Sequence, residues 1–264
     1  SNAVTLNTTI TAVNDAPVAS SATVTLTSIN EDNQSGAGDT VSNLFTSAFS
    51  DATDNITSGT GGSSANTLAG IAITTNAADT VYQGKWQYSV DGTNWSDVGT
   101  VSSSSALLVS SASKLRFVPV ANYNGQPTGL VARLVDNSVA TTFSSSSGAV
   151  FTARTADVSD DSTKSGGTTR YSNSSNAVTL NTTITAVNDA PVASSATVTL
   201  TSINEDNQSG AGDTVSNLFT SAFSDATDNI TSGTGGSSAN TLAGIAITTN
   251  AANSVNQGRW QYTI

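Results

Sequence analysis

Gly84-Lys85-Trp86-Gln87-Tyr88-Ser89-Val90-Asp91-Gly92-Thr93-Asn94-Trp95-Ser96-Asp97-Val98 is the stretch on which the fold class turns. Trp86, Tyr88 and Val90 alternate with polar residues, a period of two that lays one face of a strand against a core. Asp91-Gly92-Thr93-Asn94 supplies turn chemistry, so strands at 84–90 and 95–98 are expected to fold back as a hairpin. Similar short runs stand at 4–13, 22–29, 70–75, 106–109, 114–118, 129–135, 149–154 and 177–187. Gly/Ser-rich stretches at 58–64, 102–105, 143–148 and 165–168 read as loops between them. One helical signal interrupts the pattern: Asp39 can cap a short segment that puts Val41, Leu44, Phe45 and Phe49 on one face. The sequence therefore predicts an all-β chain of sandwich type with one short helix near residues 39–49.

The chain also repeats itself. Residues 1–78 recur letter for letter as 175–252, and only six of the next twelve positions differ, so the period is 174 residues. That is far longer than the ~20–50 residues of a solenoid repeat and long enough for one or two whole domains. Asn14-Asp15-Ala16-Pro17 breaks the alternating run at 4–13, because proline cannot donate to a ladder and holds Ala16 extended. On this reading residues 1–16 are the last strand and linker of a preceding repeat. Residues 17–190 are a complete repeat, and 191–264 are the first part of the next. The complete repeat is either one enlarged sandwich or two modules split near residue 91, although the Asp91-Gly92 turn argues against a cut there.

Composition narrows the chemistry. There is no Cys, His or Met, which excludes disulfides, thiol chemistry, a histidine base and a zinc site built on Cys or His. Nineteen acidic residues against eight basic ones give a net charge of −11, which argues against nucleic acid and anionic membrane surfaces. No apolar run approaches the ~20 residues of a membrane span, and no signal-peptide pattern is visible. Such an excess of carboxylates suits a solvated surface or the collection of oxygen ligands round calcium.

Three segments together carry a family resemblance: Thr11-Ala12-Val13-Asn14-Asp15-Ala16-Pro17-Val18 with its copy at 185–192; Ile29-Asn30-Glu31-Asp32; and Leu115–Gly125 followed by Leu130–Asp136. In this order they resemble the cadherin-like and bacterial immunoglobulin-like extender repeats of giant RTX adhesins. The Trp86–Trp95 hairpin is similar to sequences common in such arrays. The likeness covers most of the repeat, but extender repeats are often about 100 residues long and this one is much longer. It implies Ig-like or cadherin-like sandwiches on a bacterial cell surface, outside the cell, with neighbouring repeats of the same chain as partners. No nucleic acid, membrane insertion or small-molecule substrate is expected. It also implies calcium at the linker, with Asn14, Asp15 and Glu31 as ligands and Asn188, Asp189 and Glu205 in the copy. Charge and turn position add Asp32, Asp51, Asp54 and Asp136, with Asp206, Asp225 and Asp228 as the copies of the first three.

The implied work is mechanical: a non-enzymatic extender that projects a distal ligand-binding region. The rival is a carbohydrate- or cell-binding module acting through multivalency, for which Trp86, Tyr88 and Trp95 are candidate stacking residues, although aromatics at alternate strand positions suit a core better. Asp157, Asp160 and Asp161 form a second acidic group, readable as a loop calcium site or as a solvated loop. An enzyme finds little support: no histidine serves the many serines, the glycine-rich segments lack a following Lys-Ser/Thr, and nothing marks a paired-carboxylate cleft.

Overall fold

The computed structural model describes residues 2–57, 61–231 and 234–264. The chain is all-β, with strands in several sheets and, among the described residues, two short α-helices. It divides into two compact units, Ser1–Val187 with Ile230–Ser237, and Asn188–Asn229 with Ser238–Ile264.

The first unit is built on two sheets. One has six strands in the order Thr155–Ala156, Ala106–Ser110, Leu68–Asn76, Leu130–Asp136, Val178–Asn181 and Thr23–Thr25. Its pairs are antiparallel except the last, where Val178–Asn181 runs parallel to Thr23–Thr25. The other has four antiparallel strands, Asp39–Thr40, Lys114–Pro119, Gly84–Ser89 and Ser96–Asp97. Alternation decides what each face buries. Ile71, Ile73, Leu107, Val109, Leu130, Leu134, Val178 and Leu180 from the large sheet share one core cluster with Trp86, Tyr88, Leu115 and Phe117 from the small one. Trp86 meets Phe117 edge-on at 5.2 Å, and its indole N–H donates to the Thr128 carbonyl at 2.9 Å. This core draws residues from both sides of position 91.

The intervening positions of the large sheet point the other way, and they too are covered. Ala72, Ala106, Leu108 and Val135 form a second cluster with Val158, packed by Phe143, Ala156 and Tyr171. Residues from 143–171 thus cover the outer face of the sheet. The fit is close at Gly70, where an added Cβ would lie 2.3 Å from the Val109 carbonyl oxygen and 2.6 Å from the Phe143 ring. Gly70→Ala is expected to cost about 1–3 kcal/mol through overpacking. The same change at Gly244, its counterpart with open space around it, should be close to neutral. Urea unfolding of the two variants checks this, and equal midpoints would refute it.

Two expectations are corrected. The helix Val41–Phe45 is capped by Thr40, not Asp39: the extended Thr40 accepts from the Asn43 amide at 3.2 Å. Asp39 is committed to the sheet opposite Leu115 and receives the Asn43 side chain instead. Phe49 lies beyond the helix, in a strand paired with Val18–Ala19.

The run at 4–13 forms no strand. Leu6 is 96% exposed, whereas Leu180, the same residue of the same sequence, is fully buried. The reason is pairing. Residues 178–185 lie between Leu130–Asp136 and Thr23–Thr25 and then beside Ile29–Asn30. Among the described residues, 4–11 pair with no strand.

In the second unit the helix Val215–Phe219 and the Val192–Ala193/Phe223–Ser224 pair reproduce their first-copy counterparts. Residues 241–264 carry no strand, and Trp260 is 69% exposed where Trp86 is buried. Leu68–Asn76 is ordered by pairing on both sides, with Ala106–Ser110 and with Leu130–Asp136.

Candidate metal centre

The segment entering the first unit is held by its own carboxylates. Pro17 keeps Ala16 extended, and the Ala16 amide donates to the Gly167 carbonyl at 2.7 Å. The Asn14 side chain donates to the Thr169 carbonyl at 3.2 Å. The Asp15 amide donates to Asp54 Oδ1 at 2.9 Å. Asp51 precedes and Asp54 ends the 3-10 turn Ala52–Asp54, which follows the Phe49–Ser50 strand, and both aspartates are buried. Asn66, just before the Leu68–Asn76 strand, joins the group. Its amide donates to Asp51 Oδ2 at 2.7 Å, and its side chain donates to Asn14 Oδ1 at 2.9 Å and Asp54 Oδ2 at 3.0 Å. Asp136 ends the neighbouring strand Leu130–Asp136, beyond a bulge that opens the ladder. Reciprocal bonds between Asn137 and Thr67 fix that strand end beside Asn66.

The arrangement is electrostatically incomplete. Asp51 is 4% exposed and Asp136 fully buried. Ser138 serves one oxygen of Asp136 and Asn66 one of Asp51. Asp51 Oδ1 and Asp136 Oδ2 are buried without a hydrogen-bond partner. Burial raises the Asp136 carboxyl above its ordinary range, against the Ser138 and Asn14 groups, and the Asp51 charge adds to the rise. Burial likewise raises Asp51, opposed by Asn66 and reinforced by Asp54 and Asp15. The ion pairs among the described residues, Lys85–Asp97, Arg133–Asp161 and Lys164–Asp157, all lie elsewhere. A buried carboxylate without a partner or a cation is costly.

These residues are a fit in kind for a hard cation, which takes carboxylate and amide oxygens. They are not a finished cage: among the described residues no group of three or more acidic side chains is disposed to hold a metal. The donors on hand are the orphaned oxygens of Asp51 and Asp136, with Asp54 and the Asn14 carbonyl beside them.

The structure thus gathers Asn14, Asp15, Asp51, Asp54 and Asp136. Glu31 has other partners. It is buried, takes the Val187 amide on one oxygen and the Asn124 side chain on the other at 2.9 Å, and closes the end where the last strand leaves. Asp32 is exposed in the turn after Ile29–Asn30, and Glu205 and Asp206 are exposed. In the second unit the Asp189 amide donates to Asp228 at 3.0 Å. Asn240 donates to Asp225 at 2.7 Å and to Asn188 at 3.1 Å, a repetition of the first network. Asn66 and Asn240 escaped the sequence reading, since an Asn before a strand looks like any loop residue. The recurrence of the contacts in both copies is what marks them.

The other candidates resolve differently. Asp157 pairs with Lys164, Asp160 bonds Ser162 and Thr163, and Asp161 bonds Ser165, Ser174 and Arg133. These partners pull Asp157 and Asp160 down to about 2. Trp86 and Tyr88 are core residues, and Trp95 lies under the Arg116 guanidinium at 4.1 Å. Among the described residues no helix is long and apolar enough to cross a membrane. Comparisons with protein-family models, curated proteins and solved structures found no match to this chain.

Proposed function

We propose that this chain is a non-enzymatic structural extender, a series of tandem modules from a bacterial surface adhesin that holds a distal binding region away from the cell. The observation that carries the reading is the unequal fate of one sequence. Residues 178–185 supply the closing strands of the first unit, while the identical 4–11 forms none. A module that takes its last strand from the residues directly before the next Asn-Asp-Ala-Pro is built to be joined in series. The surface location and the adhesin context rest on the sequence resemblance.

Calcium is the proposed cation. Asp51, Asp54, Asp136 and Asn14 would hold it, and it would supply the positive charge that the buried carboxylates lack. Because Asn14 and Asp15 belong to the linker, the ion would fasten the linker to the module that follows it. A flexible string would then become a stiff one. The test is thermal unfolding and X-ray scattering of the chain in chelator and in millimolar calcium. Saturating calcium should raise the first transition by about 5–10 °C, the shift expected from ~2.7 kcal/mol of ligand binding in a unit of this size. Identical melting and scattering in the two conditions would overturn the calcium reading.

A further inference from the structure

Among the described residues, the strand pairs that run parallel both join the way into the first unit to the way out of it. Thr23–Thr25 lies beside Val178–Asn181, with Val24 opposite Leu180, and Ile29–Asn30 lies beside Ile184–Thr185. The other strand pairs are antiparallel. Bonds between the two segments continue past the strands. The Thr179 amide donates to the Ala22 carbonyl at 2.9 Å, and the Leu26 amide to the Asn181 carbonyl at 2.8 Å. The Ile29 amide donates to the Thr183 carbonyl at 3.3 Å, and the Glu31 amide to the Thr185 carbonyl at 3.1 Å. Two hydroxyls cross the same seam, Thr182 to the Leu26 carbonyl and Thr185 to the Ile29 carbonyl, both at 3.3 Å. The seam thus runs from Ala22 to Glu31 on one side and from Thr179 to Val187 on the other.

Its exit end is locked. The Val187 amide donates to one oxygen of the buried Glu31, whose other oxygen takes the Asn124 side chain at 2.9 Å. Gly125 exchanges both backbone bonds with Ile184 at 2.8 Å, so the closing segment is held from its other side as well. Val24, Leu26, Leu180, Thr182 and Ile184 are buried, which shields one side of the seam from water.

Direction matters under tension. The chain enters at the Ala22 end of the seam and leaves at the Val187 end, and the two segments run the same way. A pull along the chain slides one segment past the other, so the cross-bonds carry the load together. Antiparallel segments would be gripped at one end and would open one bond at a time. Parallel pairing is slightly less stable per residue than antiparallel pairing, so resting stability gives no reason for it here.

We infer that this seam is a load-bearing clamp: tension along the chain falls on it in shear, and Glu31 is the positioning residue that locks its exit end. The inference rests on the extender reading for its purpose and names the part that carries the load.

Single-molecule stretching of the full chain in chelator tests it. The chain has no cysteine, so a pair introduced at exposed positions sets the direction of pull. Ser21→Cys with Ala186→Cys grips opposite ends of the seam, and Ser21→Cys with Ser175→Cys grips the same end. At a fixed load the opposite-end pair should hold at least ~tenfold longer, because forced unfolding follows the unfolding rate and two or more hydrogen bonds must break together. Glu31→Gln replaces the charged acceptor of the Val187 amide with a neutral one. It should shorten the opposite-end lifetime by about tenfold and leave the same-end lifetime within about twofold, a contrast that general destabilisation does not produce. Equal lifetimes for the two pairs, or a Glu31→Gln effect that is absent or the same in both directions, would overturn the inference. Either result leaves the serial construction standing, since that is decided by residues 4–11 and 178–185.

Discussion

Leu180→Ala is expected to destabilise the first unit by about 3 kcal/mol, and Leu6→Ala to change it by less than ~0.5 kcal/mol. The two leucines occupy the same place in the same sequence, so propensity and local pattern cancel in the comparison. What differs is burial: Leu180 is fully enclosed and Leu6 is 96% exposed. Leu180 lies opposite Leu130 on one side and Val24 on the other, with core side chains round it. Truncation there removes apolar contact and leaves a cavity inside a close-packed layer. At Leu6 it removes nothing that is packed. Urea unfolding followed by tryptophan fluorescence reads the difference, because Trp86 lies in the same core. Equal shifts for the two variants would mean that 4–13 also completes a sheet, and the serial construction proposed above would fall with that result.

The leucine pair also explains how far the sequence could be read. Strands at 70–75, 84–90, 106–109, 114–118 and 129–135 are legible because each carries its own alternation and meets its partners within the same unit. The run at 4–13 has equally good alternation and forms nothing, because a strand needs neighbours and periodicity does not say whether they are there. The helix cap moved from Asp39 to Thr40 for a related reason: Asp39 is drawn into a sheet by Leu115, a residue distant in sequence. In the site, charge and turn chemistry pointed to Asp51, Asp54 and Asp136, and the linker pattern pointed to Asn14 and Asp15. Their assembly depends on Asn66 and on the bulge before Asp136, and neither leaves a local signal. Glu31 has the right chemistry at the wrong end, where it caps the exit of the closing strand.

Asp136→Asn is expected to abolish most of the calcium response and to make the chain more stable than its parent in chelator at neutral pH. Both effects come from the same buried oxygen. In chelator the ionised Asp136 has one oxygen without a partner and the Asp51 charge beside it. The neutral amide carries no such penalty, while in calcium it loses the charge that attracts the ion. The sign of the pH dependence follows. A carboxyl whose native pKa lies above its ordinary value of 3.8 disfavours the folded state once it ionises. Below 3.8 the group is protonated in both states and contributes nothing. As pH rises from 3.8 through the raised native value the folded state loses stability, and the loss persists to neutrality. Asp51 acts in the same sense. Asp157 and Asp160, drawn down to about 2, act oppositely and in another window: their contribution is present above 3.8 and fades only as pH falls through about 2. The stability difference between parent and Asp136→Asn, measured in chelator from about pH 4 to 7, should therefore widen with pH. Calcium should narrow or reverse it. The exposed Asp32 lies outside the cluster, so Asp32→Asn should leave the calcium-induced melting shift intact. A full calcium shift in Asp136→Asn, or its loss in Asp32→Asn instead, would move the cation away from the Asp51–Asp136 cluster.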